Sequence, residues 1–211
     1  IVSSVKTSNP SYLAVTANKK FVYAVNEDDP GTITAFSFNK DSGTLTILNQ
    51  KISAGAHPCY ISINRDGKNV VVGNYSSGTI AVAGINSIGT ISQPRQILQH
   101  KGSSINTKRQ EKPHVHSTVF SPDYKYLFAS DLGIDKIMIY KVAPGSGALI
   151  PADQPFVDVK PGAGPRHFEF HPNGKFAYLM EELTGTVSVY GYKDGKLTLQ
   201  QNTSSHPMSF D

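Results

Sequence analysis

Four groups of polar residues stand apart from an otherwise repetitive chain. They are Pro10 with Asn26-Glu27, His57-Pro58 with Asn74-Tyr75, His114 and His116 with Asp131, and Arg166-His167 with Glu181-Glu182. A histidine is a suitable general base because its unperturbed pKa lies near ~6.5. A carboxylate can orient or assist that base, and a fixed cation stabilises negative charge as it develops. Arginine also grips phosphate or carboxylate through its planar fork. These residue types suit acid–base chemistry with an oxyanion to hold. His116 and Arg166 share one repeat position, where the first repeat has only Pro10. The bland readings stay beside this one: His57 before Pro58 could cap a linker, His114 reads better as a loop residue, and Glu182 could be a solvated strand end. His171 falls in a turn and reads as structural.

Other chemistries have less support. His114 and His116 at i, i+2 could share a strand face, but no third ligand is apparent, and no HExxH or CxxC pattern occurs. No P-loop, Gly-x-Ser-x-Gly elbow or dinucleotide fingerprint is present either. The expectation is therefore no metal and no cofactor.

The elements that must position these residues repeat four times. A hairpin-like unit begins at Ser11, Cys59, His116 and Arg166, a spacing of about 50 residues, which is the period of a propeller blade. In the first repeat, Tyr12–Thr16 and Phe21–Asn26 flank a polar turn and are followed by Thr32–Phe38 and Thr44–Gln50. The second gives Tyr60–Asn64, Asn69–Asn74, Thr79–Ile85 and Thr90–Leu98. Later units carry Lys136–Val142, a weak stretch near Ala148–Val159, Thr186–Tyr192 and Lys196–Gln201. These runs are rich in Val, Ile, Tyr, Phe and Thr and are bounded by Gly, Asn and Asp. The prediction is an all-β chain, a β-propeller of four-stranded antiparallel blades, with no helix of ordinary length.

Residues equidistant from a hairpin turn face each other. With turn centres at about 18, 66, 123 and 173, position 10 faces about 26, 57 faces about 75, 116 faces about 130 and 166 faces about 180. The four polar groups then collect at one end of their blades, as one cationic rim, while the opposite ends carry turn residues.

Composition narrows the partners. Apolar residues make up 38% of the chain, enough for a sizeable core, and no apolar run approaches the ~18 residues of a membrane helix. The net charge of +4 is dispersed; its densest run, Lys101 to Lys112, lacks interleaved aromatics and does not resemble a nucleic-acid footprint. The single Cys59 excludes an intrachain disulfide and suits a reducing, cytoplasmic setting. The first residues carry no secretory pattern. Residues 1–10 read as the outer strand and linker of an earlier blade, and nothing near 206–211 reads as a closing strand. The expectation is a single propeller domain over 1–211, an internal piece of a longer ring.

The strings Gly162-Ala-Gly-Pro-Arg-His-Phe168, Phe170-His-Pro-Asn173, Ala177-Tyr178, Glu182-Leu183 and Val187-Ser-Val-Tyr190 resemble the seven-bladed lactonase family. His57-Pro58 with Gly73-Asn74-Tyr75, and His116-Ser117 with Ser121-Pro122-Asp123, match two further segments of that family. It contains the propeller-type 6-phosphogluconolactonases and the fungal carboxymuconate lactonising enzymes. The resemblance covers essentially the whole chain and implies that four of seven blades are present. It implies His116, Arg166 and Glu182 as catalytic residues, with His57, Asn74, Asp131 and His167 as substrate-binding neighbours. A further family arginine would lie beyond Asp211. Where the family often has Asn-Glu-Leu, this chain has Glu181-Glu182-Leu183. The implied substrate is a phosphorylated or carboxylated sugar lactone, and the leading reaction is hydrolysis of 6-phospho-D-glucono-1,5-lactone in the pentose phosphate route. A carboxymuconate-type cycloisomerase and a non-catalytic binding propeller remain the alternatives.

Overall fold

The computed structural model describes residues 2–207. The last residues, Met208 to Asp211, which sequence reading leaves without a strand, lie outside the described residues. Sixteen strands form four antiparallel sheets, each built from consecutive strands. The first comprises β1 (Pro10–Val15), β2 (Phe21–Asn26), β3 (Thr32–Asn39) and β4 (Thr44–Ile52). The second comprises β5 (Pro58–Ile63), β6 (Asn69–Asn74), β7 (Thr79–Ile85) and β8 (Ile91–Gln99). The third comprises β9 (Val115–Phe120), β10 (Tyr126–Asp131), β11 (Lys136–Val142) and β12 (Leu149–Asp158). The fourth comprises β13 (Pro165–Phe170), β14 (Phe176–Glu181), β15 (Thr186–Lys193) and β16 (Lys196–Ser204). Among the described residues the helical content is one short 3₁₀ turn, Leu132–Ile134.

Two compact units divide the chain, residues 1–99 and 100–211. The first holds the first two sheets around Tyr23, Val25, Ile33, Ile61, Val70, Val72 and Ile91. The second packs the other two around Phe128, Ile137, Ile139, Phe168, Leu179 and Tyr190. In that second core, Phe128 stacks on Phe168 with ring centroids 5.4 Å apart, and Phe170 meets both rings edge-on. Residues 2–9, read from sequence as an outer strand, form none. They run beside the first sheet, where Ser3 Oγ donates to the Gly43 carbonyl at 2.7 Å and Thr7 meets Thr34 at 3.2 Å.

The first hairpin of every sheet closes in the same way. The backbone N–H groups of Thr16, Asn64, Ser121 and His171 donate to the carbonyls of Phe21, Asn69, Tyr126 and Phe176 at 2.9 to 3.0 Å. Each turn then reverses through a left-handed residue, Lys19, Gly67, Tyr124 or Gly174. His171 fills the place of Thr16, Asn64 and Ser121, and its Nδ1 accepts from the Asn173 N–H at 3.1 Å. That contact gives it the structural role its position suggested.

Candidate active site

The first strand of each sheet breaks register once, near its start. Pro10 pairs with Asn26 and Tyr12 with Val25; Pro58 pairs with Asn74 and Tyr60 with Gly73. In the third sheet Val115 pairs with Asp131 and Ser117 with Ser130, and in the fourth Pro165 pairs with Glu181 and His167 with Met180. The unpaired residues are Ser11, Cys59, His116 and Arg166. The sequence register placed 116 opposite 130 and 166 opposite 180; a one-residue bulge instead sets each beside the ladder. A bulge bends the strand and re-aims a side chain, and such features concentrate next to functional sites.

The unit spanning residues 100–211 brings His116, Arg166, His167 and Glu182 together. Glu182 follows β14 directly, and its N–H donates to the Gly164 carbonyl at 2.8 Å. Its Oε2 lies 2.9 Å from Arg166 Nε and 3.8 Å from His116 Nε2. The His116 and His167 rings meet edge to face, 5.7 Å between centroids, and His167 Nε2 is 3.4 Å from Arg166 Nη1. His116 is only 12% exposed at its side chain, Glu182 28% and Arg166 39%, so the cluster faces solvent through its carboxylate and guanidinium.

Burial sets the charge states. It pushes His116 down to about 4, and the Arg166 charge pushes the same way, so the imidazole is neutral near pH 7. His167 is lowered by burial and by Arg166. Burial pushes the Glu182 carboxyl up, but the hydrogen bond and charge of Arg109, with His116 and Arg166, outweigh it and hold that carboxyl below its usual range. The cluster therefore joins a neutral imidazole able to accept a proton to an ionised carboxylate and fixed cations. It can deprotonate a water and hold a developing oxyanion.

Sequence reading missed Arg109. Its Nη2 reaches Glu182 Oε1 at 2.5 Å from the opposite side to Arg166. The run from Lys101 to Lys112 lacks strand periodicity and read as a solvated loop. Its one available signal was length, since it is the longest break in the repeat.

Two expected substrate contacts, Asn74 and Asp131, give way to a structural role. Both are 0% exposed, as is Asn26, and Glu181 is 2% exposed; all four end the second strand of their sheets. Asn26 Oδ1 accepts from Thr34 at 2.7 Å, and Asn74 Nδ2 donates to the Ser53 carbonyl at 3.1 Å and to Thr79 at 3.0 Å. Asp131 Oδ1 accepts from the His114 N–H at 2.7 Å and the Gly133 N–H at 3.0 Å, while Oδ2 meets His100 Nδ1 at 2.6 Å. Glu181 accepts from Ser188 at 2.6 Å, from Asn202 at 3.0 Å and from Thr186. The extra carboxylate that departs from the family pattern thus turns into its own sheet, away from Glu182. A polar side chain buried at this position must be satisfied locally, which commits it to the scaffold.

His57 lies in the other unit. Its backbone is left-handed (φ 52°), its N–H donates to the Asp28 carbonyl and its carbonyl accepts from the Tyr75 N–H, both at 2.9 Å. Its Nδ1 is buried without a hydrogen-bond partner among the described residues. His114 is 5% exposed, with Nε2 3.3 Å from Glu111, and belongs to the loop ahead of β9. No cluster of three metal-ligating side chains occurs among the described residues.

The geometry agrees with known proteins. The chain is 37% identical over 188 residues to a 6-phosphogluconolactonase of Bacillus subtilis, covering 89% of this chain and 52% of that one. It is also 37% identical over 195 residues to a 6-phosphogluconolactonase of Formosa agariphila, covering 90% and 55%. The solved structure of a periplasmic gluconolactonase from Pseudomonas aeruginosa superposes with a TM-score of 0.95 at 37% identity, covering all of this chain and 61% of that one. The chain thus spans about half the length of the curated relatives it matches. Residues 2–211 match the model of the lactonase family of seven-bladed β-propellers, and with four four-stranded sheets in place the chain belongs to that family.

Proposed function

We propose that the full-length protein hydrolyses a sugar lactone, 6-phospho-D-glucono-1,5-lactone, to 6-phosphogluconate, within the oxidation of glucose 6-phosphate. The observation that carries this reading is the neutral His116 held 3.8 Å from a Glu182 carboxylate that Arg166 grips at 2.9 Å. In the proposed step, His116 takes a proton from water as the water oxygen attacks the lactone carbonyl. Arg166 stabilises the oxyanion, and Glu182 stabilises the imidazolium. Collapse of the tetrahedral intermediate breaks the ring C–O bond, and the leaving alkoxide receives the proton from His116. Atoms balance with one water consumed and one carboxylic acid formed, which ionises at neutral pH.

The names of the relatives at 37% identity favour hydrolysis over ring closure of a carboxymuconate type. The same reading takes residues 1–211 as part of one propeller domain, with a small-molecule lactone as partner, no cofactor, and His57 and His167 at the edge of the substrate site. A cytoplasmic location is proposed from the lone thiol of Cys59; cell fractionation against compartment marker enzymes tests it. Among the described residues no helix is long and apolar enough to cross a membrane. The central test is the rate at which the full-length protein opens freshly generated 6-phosphogluconolactone. A rate no greater than the spontaneous one ends the hydrolase reading.

A further inference from the structure

The segment ahead of β9 is built more firmly than a solvated loop requires. Gln110 is fully buried; its Nε2 donates to the Leu132 carbonyl at 2.9 Å, and its Oε1 accepts from the Asn106 N–H at 3.1 Å. Asn106 Oδ1 in turn accepts from the N–H groups of Lys108 and Arg109, each at 3.2 Å. Ser104 N–H reaches the Gln110 carbonyl at 2.9 Å, and Ser104 Oγ donates to Asp135 Oδ2.

Asp135 ties this loop to the residues around Arg166. It is 4% exposed and left-handed (φ 49°, ψ 48°), and it accepts from Gly162 N–H at 2.6 Å and Gly164 N–H at 2.8 Å. The Gly164 carbonyl then holds the Glu182 N–H. Arg109, Arg166 and Glu182 are therefore hung from one buried carboxylate by three separate routes.

An exposed ion pair gains little by itself, so Glu182 alone does not account for so constrained an arginine. The charge count supplies the reason. Two guanidiniums flank one carboxylate, beside a neutral His116, leaving the cluster with one excess positive charge. The neighbouring Glu111 does not cancel it, because its carboxylate is turned to His114 at 3.3 Å. A guanidinium has five N–H donors, so holding Glu182 and holding an oxyanion are compatible.

We propose that Arg109 is a second arginine of the substrate site and that it binds the anionic substituent of the lactone, a phosphate or a carboxylate. The inference rests on the lactonase reading for the word substrate, but its binding test does not require turnover. Three stable sugars share a pyranose ring and differ at C6: glucose 6-phosphate, glucuronate and glucose. Calorimetry with the full-length protein is expected to show one or both anionic sugars binding at least tenfold more tightly than glucose, and the stronger of the two identifies the group recognised. Arg109→Ala is expected to abolish that preference while the melting temperature stays within two degrees or so of wild type, as suits a surface position. Arg109→Lys should restore part of it, since charge returns without the fork. In kinetics, Arg109→Ala should raise KM for 6-phosphogluconolactone about tenfold and leave kcat/KM for unphosphorylated glucono-1,5-lactone nearly unchanged. A wild-type protein without anion preference, or an Arg109→Ala variant that keeps it, overturns the proposal. An equal loss of kcat on both lactones also overturns it, by reducing Arg109 to a support for Glu182. If neither lactone is hydrolysed while anion preference is lost in Arg109→Ala, the hydrolase reading fails and this one stands.

Discussion

His116 and Arg166 are the same residue of the fold, each the bulged position at the start of its sheet's first strand. Their side chains converge on Glu182 Oε2, at 3.8 Å and 2.9 Å. Neither residue's backbone takes a regular place in the ladder, so substitution there changes chemistry more than pairing. His116→Ala in the full-length protein is therefore expected to lower kcat by ~10²–10⁴-fold, the range for a lost acid–base group. Steady-state kinetics beside a circular dichroism melt check it; wild-type turnover in a folded variant would remove His116 from the chemistry.

The pH dependence follows from the same burial. Free histidine titrates near 6.5, whereas His116 in the folded protein does so at about 4, first through burial and then through Arg166. Between those values the unfolded chain binds more protons than the folded one. The stability that neutral His116 contributes is thus complete above about 6.5 and is lost as pH falls toward 4. The acid limb of kcat/KM is expected near 4 rather than 6.5. Arg166→Ala should move that limb up, and Glu182→Gln should move it down, because the first removes a repelling charge and the second an attracting one. A pH–rate series on the three proteins reads the two opposite displacements.

Arg166→Lys keeps the charge and loses the planar fork. KM for an anionic lactone should rise several-fold with little change in melting. Asn173→Ala provides the contrast at the far end of the same hairpin, where Asn173 Oδ1 accepts from the Lys175 N–H at 2.9 Å. It should cost about 0.5 kcal/mol and leave kinetics unchanged. Paired kinetics and melts on both variants would expose a reversal of these roles.

Asp135 is the most consequential residue outside the reacting groups. Asp135→Ala strands the N–H groups of Gly162 and Gly164 and puts a non-glycine, non-Asp residue at positive φ. The expected loss is on the order of 3 kcal/mol, from unpaired buried donors and backbone strain. Asp135→Asn keeps one acceptor and tolerates the left-handed backbone, so it should lose less. Denaturant midpoints give the order; equal midpoints for Asp135→Ala and wild type would contradict the role.

The strands were largely legible because apolar alternation and Gly/Asn/Asp turns are local signals: β2, β6, β7 and β11 match their predicted bounds residue for residue. Most other ends differ by a few residues, as with β16, which runs to Ser204 rather than Gln201. The bulges were not legible, since an extra residue in a strand appears only when its partner is seen. Nor was the inward turn of Asn74 and Asp131, which depends on loop groups such as Ser53 and His100 that carry no periodicity. His116, Arg166, His167 and Glu182 came together as the repeat arithmetic placed them, whereas Arg109 and Asp135 arrived through tertiary contacts.

The four bulged positions hold a hydroxyl, a thiol, an imidazole and a guanidinium: Ser11, Cys59, His116 and Arg166. The carboxylates and amides that lock the sheets stand one residue away across the ladder, at Asn26, Asn74, Asp131 and Glu181. Each repeat is thereby a socket with an interchangeable pin, and its fixings are kept apart from what it presents. A lineage with this design can trade one reaction for another by exchanging single pins, without renegotiating the interior of any sheet.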